Sequence, residues 1–271
     1  MISTTHIFSC CSLILLSTLQ WTNAQELRPA DSLQFAFGLS NFESNQVIII
    51  NYFEHVPPQL LFAAHSNGSL CEVSFITSQK SSETHSGRDI PENFAKMSGP
   101  VYKSATNCLL SGETTFVVSR SFLKSNKPLQ IKALRRQLDG QAIRRIEAAK
   151  GFKTRTHWKI AEIPKIGDVA LLIFEPRNDT ILLTLALISE TQLVFQDYPG
   201  DVNDESTTWR VDDGGEFDAR AFNIIAAFES KEGVTLVTTW SAFEGESASV
   251  LLQKGNNFFR IGDAYRYWAP K

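Results

Sequence analysis

The stretch VALLIFEPRNDTILLTLALISETQLVF, residues 169–195, decides the fold class of this chain. It consists of three apolar runs separated by two short polar turns. The runs are residues 169–174, 180–188 and 192–195, and the turns are residues 176–179 and 189–190. Short apolar runs bounded by turn residues are typical of strands, and connections this short favour antiparallel pairing between neighbours. We therefore predict an antiparallel meander in this part of the chain.

The same pattern extends outward in both directions. Residues 222–228 and 234–240 are strand-like runs on either side of Ser230-Lys231-Glu232-Gly233, a typical hairpin loop. Near the N-terminus, apolar residues recur at every second position from Leu33 to Phe37, which indicates a half-buried strand. The fold class predicted from these patterns is α+β with β-structure dominant, an antiparallel meander sandwich or barrel.

One principal helix is predicted over residues 139–150. Asp139 can cap its first turn, and Gly151 is the residue that a C-terminal cap prefers. Its apolar stripe consists of Ala142, Ile143, Ile146 and Ala149. Such a stripe would lie against the sheet. A shorter helix is predicted over residues 90–97, with Asp89 near its start.

Residues 1–24 have the features of a secretory signal. They contain no Lys, Arg, Asp or Glu, they hold an apolar core from Ile7 to Trp21, and they end in small residues at Ala24. We predict that this segment is cleaved and that the protein is secreted or periplasmic. A buried N-terminal helix or an uncleaved anchor is the alternative. No later segment has the length of a membrane span, so no transmembrane segment is expected after cleavage.

Residues 25–271 are predicted to form a single β-rich globular body, with a possible subdivision into residues 25–127 and 128–271. Cleavage would remove two of the four cysteines and leave Cys71 and Cys108. In an oxidising compartment these two would form a disulfide, and the alternative is two free thiols. Asn67 and Asn178 begin Asn-x-Ser/Thr sequons, which would be glycosylation acceptors in a eukaryotic secretory route.

Charge is distributed unevenly along the chain, although the net charge is only −3. Residues 124–165 are rich in Lys and Arg. Such a stretch could contact an anionic surface such as phospholipid headgroups or an acidic glycan, but a solvated basic face is the simpler interpretation. These residues carry no aromatic-interleaved RNA-binding signature, so nucleic acid is not an expected partner. Residues 197–218 are acidic. The candidate metal ligands among them are Asp212, Asp213, Glu216 and Asp218.

Calcium is the cofactor that these carboxylates would suit, because Ca²⁺ takes six to eight oxygen ligands. The spacing does not match an EF-hand loop, and a solvated acidic connection is the alternative. No other cofactor is predicted.

Catalytic motifs are absent from the sequence, and no catalytic residue is predicted. The nearest approach to a nucleophile elbow is Gly245-Glu246-Ser247-Ala248-Ser249, which departs from G-x-S-x-G at its last position. A triad there would also need a histidine. The available ones are His55, His65, His85 and His157. A hairpin role for Ser247 is the simpler interpretation, and whether the protein is an enzyme stays open, with the balance against it.

Three functional classes follow from this pattern. The favoured one is an exported, non-catalytic binding or structural module whose partner is another protein, a glycan or an envelope component. The alternatives are a hydrolase whose site is assembled only in three dimensions and a carrier of a small apolar ligand inside a barrel. A polar cleft with converged acids would favour the hydrolase, a deep apolar cavity the carrier, and a filled core with an exposed aromatic patch the binding module.

Overall fold

The computed structural model describes residues 34–51, 59–64, 68–204 and 217–268. Several predicted features lie outside these ranges. They are the signal segment 1–24, His55, His65, Asn67, Asp212, Asp213 and Glu216. Strands dominate the described residues, which confirms the predicted β-dominant α+β class. Within these ranges no helix combines the length and apolar character needed to cross a membrane.

Six antiparallel strands close into a barrel in the order β1-β2-β5-β4-β3-β6. They are β1 (Phe35–Ser40), β2 (Gln46–Ile49), β3 (Leu60–Ala64), β4 (Leu70–Gln79), β5 (Gly99–Ser104) and β6 (Thr114–Ser119). Side chains alternate across the wall, as the pleat of a strand requires. In β4, Cys71 and Val73 are buried whereas Glu72 and Ser74 are exposed. The buried set packs with Tyr102 and other apolar side chains to fill the inside of the barrel.

Ten further strands form one curled sheet. They are β7 (Lys127–Pro128), β8 (Lys132–Arg136), β9 (Thr154–Ile163), β10 (Gly167–Phe174), β11 (Thr180–Ile188), β12 (Leu193–Asp201), β13 (Phe222–Glu229), β14 (Val234–Ser241), β15 (Gly245–Lys254) and β16 (Asn257–Tyr267). Their order is β7-β13-β14-β15-β16-β12-β11-β10-β9-β8. The predicted meander is confirmed twice, from β8 to β12 and from β13 to β16, and a parallel bridge between Phe195 and Asn257 joins the two.

The curl brings the two ends of this order together. The end strands β7 and β8 are separated in the chain only by residues 129–131. Arg135 of β8 donates from Nη1 to the carbonyl of Ile160 and from Nη2 to the carbonyl of Phe222 in β13, at 3.0 and 2.8 Å. The inside of the curl is filled by apolar side chains from both meanders, among them Leu171 and Leu236.

Helix α1 (Arg120–Ser125) follows the barrel, and α2 (Gly140–Lys150) covers one part of the outer face of the curled sheet. The Asp139 carboxylate accepts hydrogen bonds from the amides of Gln141 and Ala142, and Gly151 adopts a left-handed φ of 71°. Ile146 packs on Leu172 and its neighbours in the sheet. The predicted principal helix and both of its caps are therefore confirmed.

The barrel covers another part of the same outer face. Phe116 of β6 and Phe122 of α1 pack against Phe228 of β13, with ring centroids 5.9 and 5.0 Å apart. Val237 and Val250 belong to the same buried cluster. The barrel and the sheet thus share one apolar cluster, while the proposed subdivision into two folding units stays a prediction.

Cys71 and Cys108 lie at disulfide distance, with their Cα atoms 6.0 Å apart, as predicted. Cys71 is buried inside the barrel. The Ser104 hydroxyl lies 3.0 Å from the sulfur of Cys71 and 2.9 Å from that of Cys108. The bridge therefore fixes the residues 105–109 against the interior of the barrel. Asn178 of the described sequon is exposed in the turn between β10 and β11.

Replacing both Cys71 and Cys108 by alanine should lower the free energy of unfolding by about 3–4 kcal/mol. The reason is that the bridge closes a loop with a sequence separation of 37, which restricts the unfolded chain. Urea unfolding of the native chain and of the double variant measures the difference. Alkylation of both cysteines in the native, unreduced protein, detected by mass spectrometry, would contradict the bridge.

Replacing Asp139 by alanine should cost about 1 kcal/mol, because the cap of α2 is lost. Asp139→Asn, which keeps the acceptor, should cost little. Hydrogen bonds from the Ala142 and Gln141 amides lower the pKa of Asp139. The charged carboxylate therefore stabilises the fold above its ordinary pKa of about 4, and this contribution is lost as the pH falls through the lowered value. Urea unfolding at several pH values should therefore show a smaller loss of stability toward low pH in Asp139→Asn than in the native chain.

Candidate functional site

A cavity of about 460 Å³ opens beside the end of β16, where loops of the barrel and of the curled sheet meet. Aromatic and charged side chains line it. The main ones are Phe42, Phe243, Trp268, Arg88, Arg266 and Glu92. We refer to these six residues and the space between them as the aromatic cavity. Its ring-rich lining and few polar groups are typical of small-ligand sites.

The 86–92 loop is held against the end of β16. The amide of Asp89 donates to the carbonyl of Tyr267 at 2.7 Å, and the Tyr267 amide donates to the Asp89 carboxylate at 3.2 Å. The loop continues into a 3-10 helix, Pro91–Lys96, where a short helix was predicted. Asn93 is buried in this helix, and its side-chain amide donates to the carbonyl of Arg88. The backbone that carries Arg88 and Glu92 is therefore fixed at several points.

Phe42 projects from the turn between β1 and β2. The Asn41 side chain accepts from the amides of Asn45 and Gln46, both at 3.0 Å, and so closes this turn. The Ser111 hydroxyl donates to the carbonyl of Phe42 at 2.9 Å. Gly112 has a φ of +68°, and a Cβ there would lie 2.7 Å from the ring of Pro91. A glycine is thus required where the 110–113 loop passes the start of the 3-10 helix.

The aromatic side chains of the cavity are more exposed than core residues. Phe42 is 54% exposed and Phe243 is 56% exposed, while Trp268 is half-buried. The Trp268 indole donates from Nε1 to the carbonyl of Phe243 at 3.1 Å, which orients its ring. Among the described side chains, none of these three rings stacks on another. The exposed Phe42 and Phe243 rings therefore remain available to a ligand that enters between them, whereas one face of the Trp268 ring is covered by the Arg266 guanidinium.

Arg266 lies at the base of the cavity and is almost fully buried. It stands directly opposite Glu246 in the β15–β16 ladder, and its Nη2 lies 3.4 Å from Glu246 Oε1. Its Nη1 donates to the carbonyl of Gly112 at 2.9 Å, and its guanidinium carbon lies 4.9 Å from the centre of the Trp268 ring. Burial lowers the pKa of Arg266, whereas the charge of Glu246 acts in the opposite direction.

Glu246 accepts hydrogen bonds at both carboxylate oxygens. Thr114 donates to Oε1 and Ser241 donates to Oε2, at 2.5 and 2.8 Å. These hydroxyls, together with Arg266, compensate the buried charge. The Glu246 carboxylate therefore ties β6, β14 and β16 together at the boundary between the barrel and the curled sheet.

Glu113 and Glu246 both face a second cavity, of about 290 Å³, on the other side of the 110–113 loop. Glu113 is exposed as a whole residue, but the protein atoms around its carboxyl displace enough water to raise its pKa. The negative charge of Glu246 raises this pKa further, and the charge of Arg266 opposes it. This pair of glutamates was not singled out from the sequence, because its members are far apart in the chain.

The acidic residues predicted as metal ligands are only partly described. Asp218 caps a 3-10 helix, Ala219–Ala221, and pairs with Arg220 at 2.8 Å. Asp197 accepts from Thr184 and pairs with Lys150. Within the described ranges, no group of three or more His, Cys, Asp or Glu side chains could hold a metal ion. Because three of the four candidate ligands lie outside those ranges, the Ca²⁺ site stays a prediction.

The residues of the nucleophile-elbow segment 245–249 lie on strand β15, with Ser247 exposed. Of the histidines considered with it, His157 accepts from the amide of Leu138 at 3.2 Å. His85 accepts from the amide of Gly87 at 3.3 Å. Both described histidines are thus engaged in local backbone contacts. The segment contributes Glu246 to the site instead, and sequence alone gave this residue no special signal.

Comparisons with known proteins identify no family for this chain. The chain matches no family model, no curated protein and no solved structure. Its function therefore has to be argued from the chemistry of the aromatic cavity.

Replacing Glu246 by glutamine should lower the free energy of unfolding by about 3–5 kcal/mol, because Arg266 would keep a buried charge without its partner. The double change Glu246→Leu with Arg266→Met should cost much less, since neither charge remains. Urea unfolding of the native chain, of Glu246→Leu, of Arg266→Met and of the double variant gives the coupling energy. Additive effects in this cycle would show that the two side chains do not stabilise each other.

Proposed function

We propose that this chain is an exported, non-catalytic binding module and that its aromatic cavity binds a carbohydrate. The observation that carries the proposal is the set of separated, accessible rings beside Arg88 and Glu92. The faces of a sugar ring carry C–H groups, which pack favourably on the negative face of an aromatic ring. The hydroxyls at the sugar edge form strong hydrogen bonds with charged side chains.

The concave shape of the site favours a glycan over a protein partner among the partners considered. The volume of about 460 Å³ lies within the range of roughly 300–1,000 Å³ typical of small-ligand sites. A protein interface usually presents a broader and flatter surface. A short saccharide, or one residue of a longer chain, is the partner of matching size.

The interior packing does not support the alternative of an apolar-ligand carrier. Such a carrier would need a cavity inside one of the sheets, whereas apolar side chains occupy the inside of both in the described residues. Inside the curled sheet, the Trp240 ring packs edge-to-face against Tyr198, Phe217 and Phe222, with ring centroids 5.2 to 5.7 Å apart. These rings take the place that a bound lipid would need.

A second candidate function is glycoside hydrolysis, and one observation favours it. Glu113, whose pKa is raised by burial, faces the same small cavity as Glu246, and two carboxyl groups in one cleft are the groups that glycosidases use. Against it, both oxygens of Glu246 are engaged by Thr114, Ser241 and Arg266. A carboxylate engaged in this way suits a structural role better than the role of a nucleophile or a base.

Replacing Trp268 by alanine should weaken carbohydrate binding about tenfold or more, because the loss of one stacking face removes more than about 1.4 kcal/mol. Phe243→Ala should have a similar effect. The matched control is Phe259→Ala, since Phe259 is 49% exposed on β16 and does not line the cavity. Glycan-array screening followed by calorimetry on the mature protein measures the affinities.

Two outcomes of this experiment would count against the proposal. If Trp268→Ala and Phe243→Ala bind the selected glycan as tightly as the native chain, the aromatic cavity is not the site. If reducing ends accumulate in the incubated samples and Glu113→Gln abolishes their release, the hydrolase alternative is correct instead.

A further inference from the structure

We infer that the carbohydrate bound in the aromatic cavity carries a carboxylate, as a uronic acid does, and that Arg88 and Arg266 bind this group. The inference rests on the proposed function and adds the chemical class of the ligand. Two observations carry it, namely an unpartnered N–H on Arg266 and an unpaired cation at Arg88. Each supplies a donor that a carboxylate oxygen would engage more strongly than a neutral hydroxyl does.

Arg266 has a donor for which the described residues supply no acceptor. The residue is 6% exposed, its Nη1 and Nη2 have the partners described above, and its Nε is buried without a hydrogen-bond partner among those residues. A buried N–H without an acceptor destabilises a protein, so such groups are rare and call for a structural or functional reason. Trp268 packs over the same guanidinium at the wall of the aromatic cavity. A ligand oxygen that reaches this guanidinium would supply the missing acceptor.

Arg88 places a second cation on the rim of the same cavity. Its residue is exposed, and within the described part of the chain its guanidinium has no hydrogen bond or ion pair. Its backbone is nevertheless fixed, because its carbonyl accepts from the buried Asn93 side chain at 2.9 Å. A guanidinium on a fixed backbone loses less freedom when it binds an anion than one on a mobile loop.

Arg88 is the charge on the rim that is best placed to meet an anionic ligand. Two arginines and one glutamate face the aromatic cavity, and Arg266 already pairs with Glu246. The charges of Glu113 and Asp89 also act on Arg266. Arg88 is therefore the cation left for the ligand, while Glu92 can accept hydrogen bonds from sugar hydroxyls. The planar fork of a guanidinium matches a carboxylate, which can accept two parallel hydrogen bonds from it.

The experiment compares acidic oligosaccharides with forms of the same shape that lack the charge. The probes are trisaccharides of galacturonate, glucuronate and mannuronate, their methyl esters, the corresponding neutral trisaccharides, and a hexose phosphate. Calorimetry is carried out on the mature native chain, on Arg88→Gln and on Arg144→Gln. Arg144 is exposed on α2, on a surface that does not line the cavity, and its replacement makes the same change in net charge.

We expect at least one free acid to bind about tenfold or more tightly than its ester and its neutral counterpart. Arg88→Gln should remove most of this advantage, whereas Arg144→Gln should retain it. The advantage should also shrink as salt is raised, because the rim charge is exposed.

Other outcomes would overturn the inference in distinguishable ways. Equal binding of acid, ester and neutral sugar, lost in Trp268→Ala, would overturn the carboxylate and leave the carbohydrate proposal standing. Tighter binding of the phosphate than of every free acid would also overturn it and would assign the arginines to a phosphate. Failure of all the sugars and of the glycan screen to bind would overturn the proposed function together with the inference.

Discussion

The structure depends on the burial of both faces of β13, β14 and β15. Strands with apolar side chains on both faces need a cover on each side, because water cannot solvate either face favourably. The inner face packs into the curled sheet through residues such as Leu236 and Leu251. The outer face, through Phe228, Val237 and Val250, packs on the barrel. The barrel is thus the second cover of the sheet as well as a closed structure with its own core.

The aromatic cavity follows from this packing, because it lies at the edge where the barrel leaves the sheet. At that edge the apolar contacts end. Polar groups of the barrel and of the curled sheet lie close to one another there and are only partly accessible to water. Glu246 and Arg266 occupy the same outer face of the ladder as the buried cluster, a few positions further along β15 and β16. Their charges are tolerated there because Thr114 and Ser241 complete the hydrogen bonds of the carboxylate.

Sequence reasoning succeeded where the signal is local. The meander around residues 169–195 is encoded by apolar runs and short turns, and the helix that follows Asp139 is encoded by its caps and its stripe. Because only Cys71 and Cys108 lie outside the predicted signal segment, their number also sufficed to predict their pairing. The barrel order β1-β2-β5-β4-β3-β6 could not be derived in this way. This order depends on which strands, far apart in the chain, pair with each other. The apolar periodicity of a single strand carries no information about its partners.

The candidate site was missed for the same reason. Phe42, Arg88, Phe243 and Trp268 come from four separate segments, and each is an unremarkable residue in its own turn or tail. The segment 245–249 drew attention for its serine, whereas the residue that matters structurally is Glu246, whose burial depends on Thr114 of another sheet. Trp268, which follows β16, is held by the hydrogen bond from its indole to the carbonyl of Phe243.

The way in which the cavity is built bears on how it could recognise a ligand. Its rings and cations are carried by turns that hydrogen bonds close, at Asn41, at Asp89 and at Trp268. A wall fixed in this way needs little rearrangement on binding, so a small number of contacts can give useful affinity. Arg266 adds to this effect, because its position is set by Glu246 and the Trp268 ring before any ligand arrives. The same buried pair that stabilises the junction of barrel and sheet therefore also holds the base of the cavity in place.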